Sequence, residues 1–171
     1  MQSQKDIKTK FERNAKALTL RPSLGLDTGI SVIRINNGLE CEITEGNWSL
    51  KTDMPKQVGG NGSAPSPGVL GRAALGSCLA TGYMLWASHL DIDIESLEIT
   101  IEADYDDGAL FATSDSNPGY SEVRYKVNIN SSLSHSELEA FLNEADKHSP
   151  YLDVFRRAHT CKRKVKLVKS Y

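Results

Sequence analysis

A single apolar stretch in the middle of the chain, residues 66–90, most constrains what this sequence can fold into. It reads SPGVLGRAALGSCLATGYMLWASHL. Ser66 suits the N-cap of a helix, and Pro67 suits the first helical position, where a missing N–H costs nothing. Large apolar and small side chains then occupy every face of the predicted helix. Such a helix must be buried on all sides or lie in a membrane.

A buried core helix fits this stretch better than a membrane-spanning helix. Arg72 lies inside it, and strongly amphipathic strand patterns follow it. Gly71, Gly76 and Gly82 would each destabilise an exposed helix by about 1 kcal/mol relative to alanine. They are better suited to a helix against which a second backbone packs closely.

Composition and cysteine usage place the chain among ordinary soluble proteins. It has 171 residues and a formal net charge of −2, which suits one domain with or without a terminal extension. No cationic start is followed by an apolar run, as a secretory signal would require. The three cysteines form no metal-binding pair, and no Walker A or dinucleotide fingerprint occurs. We therefore expect a cytoplasmic protein with thiols rather than disulfides, and with no metal, cofactor or membrane association.

The periodicity of the remaining chain predicts an α+β fold in which an antiparallel sheet packs on the central helix. Residues 1–20 indicate a polar helix with a thin apolar stripe, which we expect to dock on something else, such as a partner subunit. The elements predicted after it are strands at 29–36, 39–44 and 48–53, a glycine-rich loop at 56–65, the central helix, strands at 96–105 and 120–130, helices beginning at 134 and 150, and a strand at 161–169.

Alternation also assigns side chains to the faces of these strands. Ile30, Val32 and Arg34 are predicted to share one face of the first strand. Cys41 falls on the apolar face of the second strand and is most simply a small core residue. The glycine-rich loop is expected to be mobile and to lie beside a site. The basic residues near the C-terminus fit the solvated face of an edge strand. Because the chain is acidic overall and they lack interleaved aromatic residues, they do not indicate nucleic-acid binding.

The central helix needs more cover than one sheet can give. A single sheet shields only one side of a helix that is apolar all round. A second copy of the chain in a two-fold dimer is the simplest way to cover the rest.

Two motifs resemble the family of osmotically inducible protein C and organic hydroperoxide resistance proteins (OsmC/Ohr). The first is SPGVLGRAALGSCLA, in which the residues that match the family's central helix are Pro67, Leu70, Ala73, Ala74 and Cys78. The second is ADKHSPYLDVFRR, similar to a family segment in which Cys-Pro precedes a short helix. The resemblance begins near residue 29. It predicts an N-terminal helical extension at 1–28 and an OsmC-like domain at 29–171.

The resemblance implies an intertwined homodimer, with antiparallel sheets wrapped around two long central helices, and a thiol-dependent peroxidase acting on organic hydroperoxides. In competent members one cysteine is oxidised to a sulfenic acid, and a second cysteine resolves it as a disulfide. Here the first position is Cys78, but the resolving position holds Ser149, which also suits the N-cap of a helix at Pro150. Cys161 could act instead only if its Cα came within about 7 Å of that of Cys78.

The resemblance further implies a glutamate after the helix-starting proline, which orients an arginine that stabilises the thiolate. That position holds Gly68 here. Arg34 and Lys56 are the candidates for the cation, and the alternative is that each is a plain surface charge. A thiol reacts as its thiolate, and Cys78 lies too deep in the helix for the N-terminal dipole to favour its charge. Cys78 is therefore either activated by a cation from elsewhere or an inert structural cysteine.

We predict an OsmC-like peroxidase that reduces organic hydroperoxides through Cys78 by a one-cysteine route, with an external thiol as reductant. The alternative is a non-catalytic OsmC-like dimer that binds an apolar small molecule in a cleft at the dimer interface. The side chains nearest the Cys78 sulfur distinguish the two, because a cation or donor there would support chemistry.

Overall fold

The computed structural model describes residues 3–168 and has the predicted α+β architecture with antiparallel strands. In chain order its elements are α1 (Gln4–Leu20), a 3₁₀ turn (Pro22–Gly25), β1 (Val32–Arg34), β2 (Cys41–Glu45), β3 (Trp48–Thr52), a second 3₁₀ turn (Lys56–Val58), α2 (Pro67–His89), β4 (Ile94–Asp104), α3 (Asp107–Leu110), β5 (Glu122–Ser131), α4 (His135–Asp146) and α5 (Pro150–Arg156). Within the described residues, no helix combines the length and hydropathy that a bilayer crossing needs.

The core forms where α2 meets the β4–β5 sheet and the helices α4 and α5. One face of α2 is almost fully buried, through side chains four residues apart: Leu75, Leu79, Tyr83 and Ala87. The opposite face, which includes Val69, Ser77 and Leu85, is exposed. The prediction that this helix is buried on all sides is therefore not met within one chain, because the chain packs its own elements against only part of the helix.

The β4–β5 sheet follows the predicted alternation. Leu97 pairs with Ile129, and Ile99 pairs with Val127, so the apolar residues of both strands share the face that packs on the core. The outer face carries acidic and basic side chains in cross-strand pairs, as expected for a sheet with one solvated side.

The strands β1, β2 and β3 form a separate antiparallel sheet with an uncovered apolar face. Its register places Ile33 beside Ile43 and Ile43 beside Leu50, so the three side chains form one row. Ile33 is 56% exposed and Leu50 is 54% exposed. The chain's own elements therefore leave this apolar row uncovered.

Val32 and Arg34 share one face of β1, as predicted, and Ile30 lies before the strand begins. Val32 pairs with Thr44, and Arg34 pairs with Glu42, which places both on the polar face of the sheet. Apolar residues occupy both alternating sets of positions in this strand, so the pattern fits either face equally well. The register of pairing with β2 decides which set faces which side of the sheet, because a shift of one residue moves every side chain to the opposite face.

The helix α1 docks on α2 of its own chain. The ring of Phe11 stacks on the ring of His89, with 4.5 Å between centroids, and meets the edge of Trp86 at 5.6 Å. Lys8 forms an ion pair with Asp91, just beyond the end of α2. The expectation that this helix docks on something else is met by α2, at its C-terminal end.

The strand predicted at 161–169 does not form. Residues 157–168 are irregular and exposed, with Val165 82% and Leu167 79% accessible; Lys169 lies outside the described residues. An edge strand needs the free edge of another strand, and among the described residues of one chain none pairs with this segment.

Candidate functional site

Cys78 lies on α2 between the buried face and the exposed face of the helix. Its side chain is half-buried. Its sulfur lies 3.8 Å from the hydroxyl oxygen of Ser149, on the turn between α4 and α5. The two residues are 71 positions apart in the chain, and only the packing of α5 on α2 brings them together.

Ser149 is the N-cap of α5, as the sequence predicts. Its hydroxyl accepts a hydrogen bond from the backbone N–H of Leu152 at 3.4 Å, and Pro150 follows at the first helical position. The side chain is only 6% exposed. The hydroxyl therefore has two neighbours with hydrogen-bonding capacity, the Leu152 amide and the Cys78 thiol.

A polar network that the sequence analysis missed anchors the turn that carries Ser149. The Tyr83 hydroxyl donates to one carboxylate oxygen of Asp146 at 2.7 Å, and the Tyr125 hydroxyl donates to the other. Burial, followed by the hydrogen bond to Asp146, raises the pKa of Tyr83 above its ordinary value and that of Tyr125 to about 12. Both hydroxyls are thus protonated donors at neutral pH, and they tie the end of α4 to α2 and to β5.

The only hint of this network in the sequence is chemical. Tyr83 and Tyr125 each place a hydroxyl in an otherwise apolar face, and a buried hydroxyl needs a partner. Asp146 follows the apolar stripe of its helix directly. No spacing rule links residues from three different elements, so their meeting could not be derived from the pattern.

At the start of α2, Arg72 is hydrogen-bonded to Tyr120 on the loop before β5. Its guanidinium donates to the Tyr120 hydroxyl at 3.3 Å, and that hydroxyl donates to the carbonyl of Gly68 at 3.3 Å. A Cβ added at Gly68 would lie 3.4 Å from the Arg72 guanidinium. The position at which the family resemblance implies a glutamate therefore lies within ordinary contact distance of the Arg72 guanidinium that Tyr120 engages.

The two predicted cation candidates lie on other elements. Arg34 is on the polar face of the three-stranded sheet, and Lys56 is in the 3₁₀ turn before α2. In the described part of the chain, neither Arg34 nor Lys56 hydrogen-bonds to Cys78. The hydrogen-bonding contact of the Cys78 sulfur is with the Ser149 hydroxyl. Cys161 is exposed in the irregular C-terminal segment, and Cys41 is half-buried on β2.

The glycine-rich loop before α2 is folded around a buried carboxylate, a feature that its composition does not indicate. Asp53 is 1% exposed. Its side chain accepts hydrogen bonds from the backbone N–H groups of Met54, Asn61 and Ser63. The hydrogen bond from the Ser63 amide has the largest effect in lowering the pKa of Asp53, and the other bonds add to it. A Cβ at Gly60 would lie 1.8 Å from the Met54 carbonyl oxygen, so only glycine fits there.

The arrangement places a thiol beside a hydroxyl, at the edge of the core that Tyr83 and Tyr125 tie to Asp146. It can support nucleophilic chemistry at sulfur. Among residues 3–168, no three His, Cys, Asp or Glu side chains are grouped so that they could hold a metal ion.

Comparison with known proteins identifies the family. A family model described as OsmC-like protein matches residues 60–164, more than half of the chain. This span contains α2 with Cys78, the β4–β5 sheet and the turn with Ser149. The chain belongs to the OsmC family. No curated protein sequence matches it.

Solved structures show the same fold at low identity. An OsmC-like protein from Mycoplasma pneumoniae is 17% identical with a TM-score of 0.62, over 75% of this chain and 86% of that chain. An organic hydroperoxide resistance protein from Legionella pneumophila is 25% identical with a TM-score of 0.56, over 77% and 90%. An organic hydroperoxide resistance protein from Elizabethkingia anophelis is 19% identical with a TM-score of 0.59, over 77% and 89%.

Proposed function

We propose that this OsmC-family protein is a cytoplasmic, thiol-dependent peroxidase that reduces organic hydroperoxides through Cys78. The observation that carries the proposal is the half-buried Cys78 sulfur, 3.8 Å from the Ser149 hydroxyl within the family-matched part of the chain. Several of the structures with this fold are organic hydroperoxide resistance proteins. That likeness supports the choice of organic hydroperoxides as the substrate class.

The proposed reaction proceeds by a one-cysteine route. The Cys78 thiolate attacks the terminal oxygen of R–O–O–H, the O–O bond breaks, and the leaving alkoxide takes a proton to give R–OH. Cys78 becomes a sulfenic acid. An external thiol then attacks its sulfur and releases water, and a second thiol attacks the mixed disulfide. This restores Cys78 and gives the oxidised disulfide of the reductant.

We also propose that the active form is an intertwined homodimer. The apolar row of Ile33, Ile43 and Leu50 is uncovered in one chain, and so is the exposed face of α2. A second copy related by a two-fold axis could cover both surfaces. It would also reduce the exposure of Cys78, because this residue borders the uncovered face of α2.

Hydroperoxide consumption by the purified protein tests the activity. With cumene hydroperoxide and excess dithiothreitol, the chain should consume peroxide catalytically, and Cys78→Ser should abolish consumption. Cys161→Ser, at an exposed site, should leave the rate unchanged. If the Cys78→Ser variant consumes peroxide as fast as the unaltered chain, the peroxidase assignment is wrong.

A second candidate function is a non-catalytic dimer that binds an apolar small molecule. It is favoured by the arrangement around Arg72, which engages Tyr120 instead of the thiol. An open groove of about 580 Å³ also lies between α1, α2 and the start of β4. Its apolar lining includes Ile7, Met84, Leu85 and Leu97. Native mass spectrometry that shows a retained apolar molecule, unaffected by Cys78→Ser, would support this candidate over the peroxidase.

A further inference from the structure

We propose that the Ser149 hydroxyl donates a hydrogen bond to the Cys78 sulfur and stabilises its thiolate, at the position where a second cysteine would otherwise resolve the sulfenic acid. The inference rests on the proposed function, because it takes Cys78 as the reacting group. In this proposal Ser149 has two roles. It caps α5, and it stabilises the Cys78 thiolate that attacks the hydroperoxide.

The direction of the hydrogen bond follows from the number of donors and acceptors that the Ser149 hydroxyl has. A serine hydroxyl has one proton and two acceptor lone pairs. One lone pair of Ser149 accepts from the Leu152 N–H at 3.4 Å. Besides that amide, the hydrogen-bonding neighbour of the hydroxyl is the Cys78 sulfur at 3.8 Å. The proton is therefore available to the sulfur, and a bond to an anionic acceptor is shorter and stronger than one to a neutral thiol.

The surrounding structure holds the hydroxyl in place. The backbone N–H of Ser149 donates to the carbonyl of Asp146 at 3.2 Å. The Asp146 carboxylate is in turn fixed by the hydroxyls of Tyr83 and Tyr125. Tyr83 lies on the same helix as Cys78, five residues further on. The donor and the sulfur thus belong to one connected unit, so little reorganisation is needed when the thiolate forms.

Ser149 also prevents the Cys78 sulfenic acid from forming a disulfide at position 149. A hydroxyl cannot condense with a sulfenic acid to form a disulfide, so the oxidised Cys78 must wait for an external thiol. In the described part of the chain, no cationic side chain hydrogen-bonds to the Cys78 sulfur. A neutral donor then has a larger share in stabilising the negative charge.

Alkylation of the full 171-residue chain by iodoacetamide tests the inference without any peroxide. The thiolate displaces iodide, and mass spectrometry of the Cys78 peptide gives the rate at each pH. We expect Ser149→Ala to raise the midpoint of the pH–rate profile by about one unit, which lowers the rate near neutral pH about tenfold. Ser149→Thr keeps the hydroxyl and should keep the midpoint.

Two further variants separate donation from capping. Ser149→Gly keeps most of the capping of α5 but has no hydroxyl and adds no charge, so its midpoint should rise as far as that of Ser149→Ala. Ser77→Ala is the matched control, because Ser77 precedes Cys78 directly but its hydroxyl donates to the Ala74 carbonyl. Its midpoint should not change.

An unchanged midpoint in either Ser149→Ala or Ser149→Gly would overturn the inference. If either variant fails to fold, as thermal unfolding would show, the other decides it alone. A changed midpoint together with no turnover of cumene hydroperoxide would uphold the hydrogen bond and refute the peroxidase, so the two proposals fail separately.

Discussion

At the scale of single residues, having a serine and not a cysteine at position 149 affects the chemistry open to Cys78 more than it affects the structure. Serine and cysteine have nearly the same shape, and both suit a tight turn before a proline. The hydroxyl caps α5 and contacts the sulfur from one position. A thiol at this position would keep the contact and add the ability to form a disulfide.

We therefore expect that Ser149→Cys converts the site to a two-cysteine pair. The present oxygen–sulfur distance is 3.8 Å, and a small rotation of either side chain would bring two sulfurs to the bonding distance of about 2.05 Å. After one equivalent of cumene hydroperoxide, the Cys78 sulfenic acid should condense with the introduced thiol and release water. Non-reducing peptide mapping should find a crosslink between α2 and the α4–α5 turn.

The control for this gain of function is Ser77→Cys, which adds a thiol next to Cys78 on the exposed face of α2. It should give no crosslink to Cys78 within the chain. The unaltered chain should instead accumulate a sulfenic acid that dimedone traps. Persistence of that adduct in Ser149→Cys at the unaltered level would show that the two side chains do not meet in solution.

At the scale of structural elements, the loop from Met54 to Pro65 shows how one carboxylate can fix a segment without regular structure. Asp53 accepts hydrogen bonds from the amides of Met54, Asn61 and Ser63, and its own N–H donates to the Pro65 carbonyl. The loop thereby delivers the chain to the start of α2 in one geometry. Asp53 thereby links the end of the three-stranded sheet to the start of α2.

This loop should make stability depend on pH in the acid range. The hydrogen bonds favour the charged form, so the pKa of Asp53 in the folded protein lies below the unfolded value of 3.8. Its contribution is fully present above that value and is lost as the pH falls through the folded pKa. Asp53→Asn should destabilise the protein at pH 7 and flatten the loss of stability between about pH 5 and pH 2. Urea unfolding at each pH measures this.

The exposed Asp115 provides the comparison. Asp115→Asn should leave both the stability at neutral pH and its acid dependence close to those of the unaltered chain. An Asp53→Asn variant with the original acid dependence would mean that the loop is not held by this carboxylate.

Elements with local signals were predictable, and contacts between distant residues were not. The helix α2 begins at Pro67, as proline and the preceding serine indicate, although the Ser66 side chain makes no capping hydrogen bond. Ser134 and Glu137 form the predicted capping box at the start of α4. These signals act within one turn of a helix, so the sequence alone contains them.

The remaining features depend on partners far away in the chain. Arg72 meets Tyr120, 48 positions later, and Asp146 meets Tyr83, 63 positions earlier. Cys78 could be recognised from the family motif, and Ser149 from its place before Pro150, but their 3.8 Å contact required the fold. The strand predicted for the C-terminal segment is absent from residues 161–168 for the same reason. Alternation shows that a segment can form a strand, but it does not show which strand would pair with it.

At the scale of the whole molecule, the chain leaves two apolar surfaces that its own elements do not cover. One is the row on the three-stranded sheet, and the other is the outer face of α2. The irregular C-terminal segment also exposes Val165 and Leu167. A monomer with these surfaces exposed would tend to aggregate. In a two-fold dimer, each copy could cover the apolar surfaces of the other.

Leu50→Lys should therefore weaken self-association. Leu50 lies in the apolar row beside Ile43, and a lysine there would place a charge in the proposed interface, which costs the burial of a leucine as well as the desolvation of an ammonium. We expect the unaltered chain to have twice the 18.8 kDa mass of one chain in multi-angle light scattering. The variant should dissociate at a concentration about tenfold higher or more. Ser49→Lys is the matched control, because Ser49 pairs with Thr44 on the opposite, polar face, and it should remain dimeric. A monomeric unaltered chain, or equal dissociation of the two variants, would refute an interface on the apolar face of this sheet.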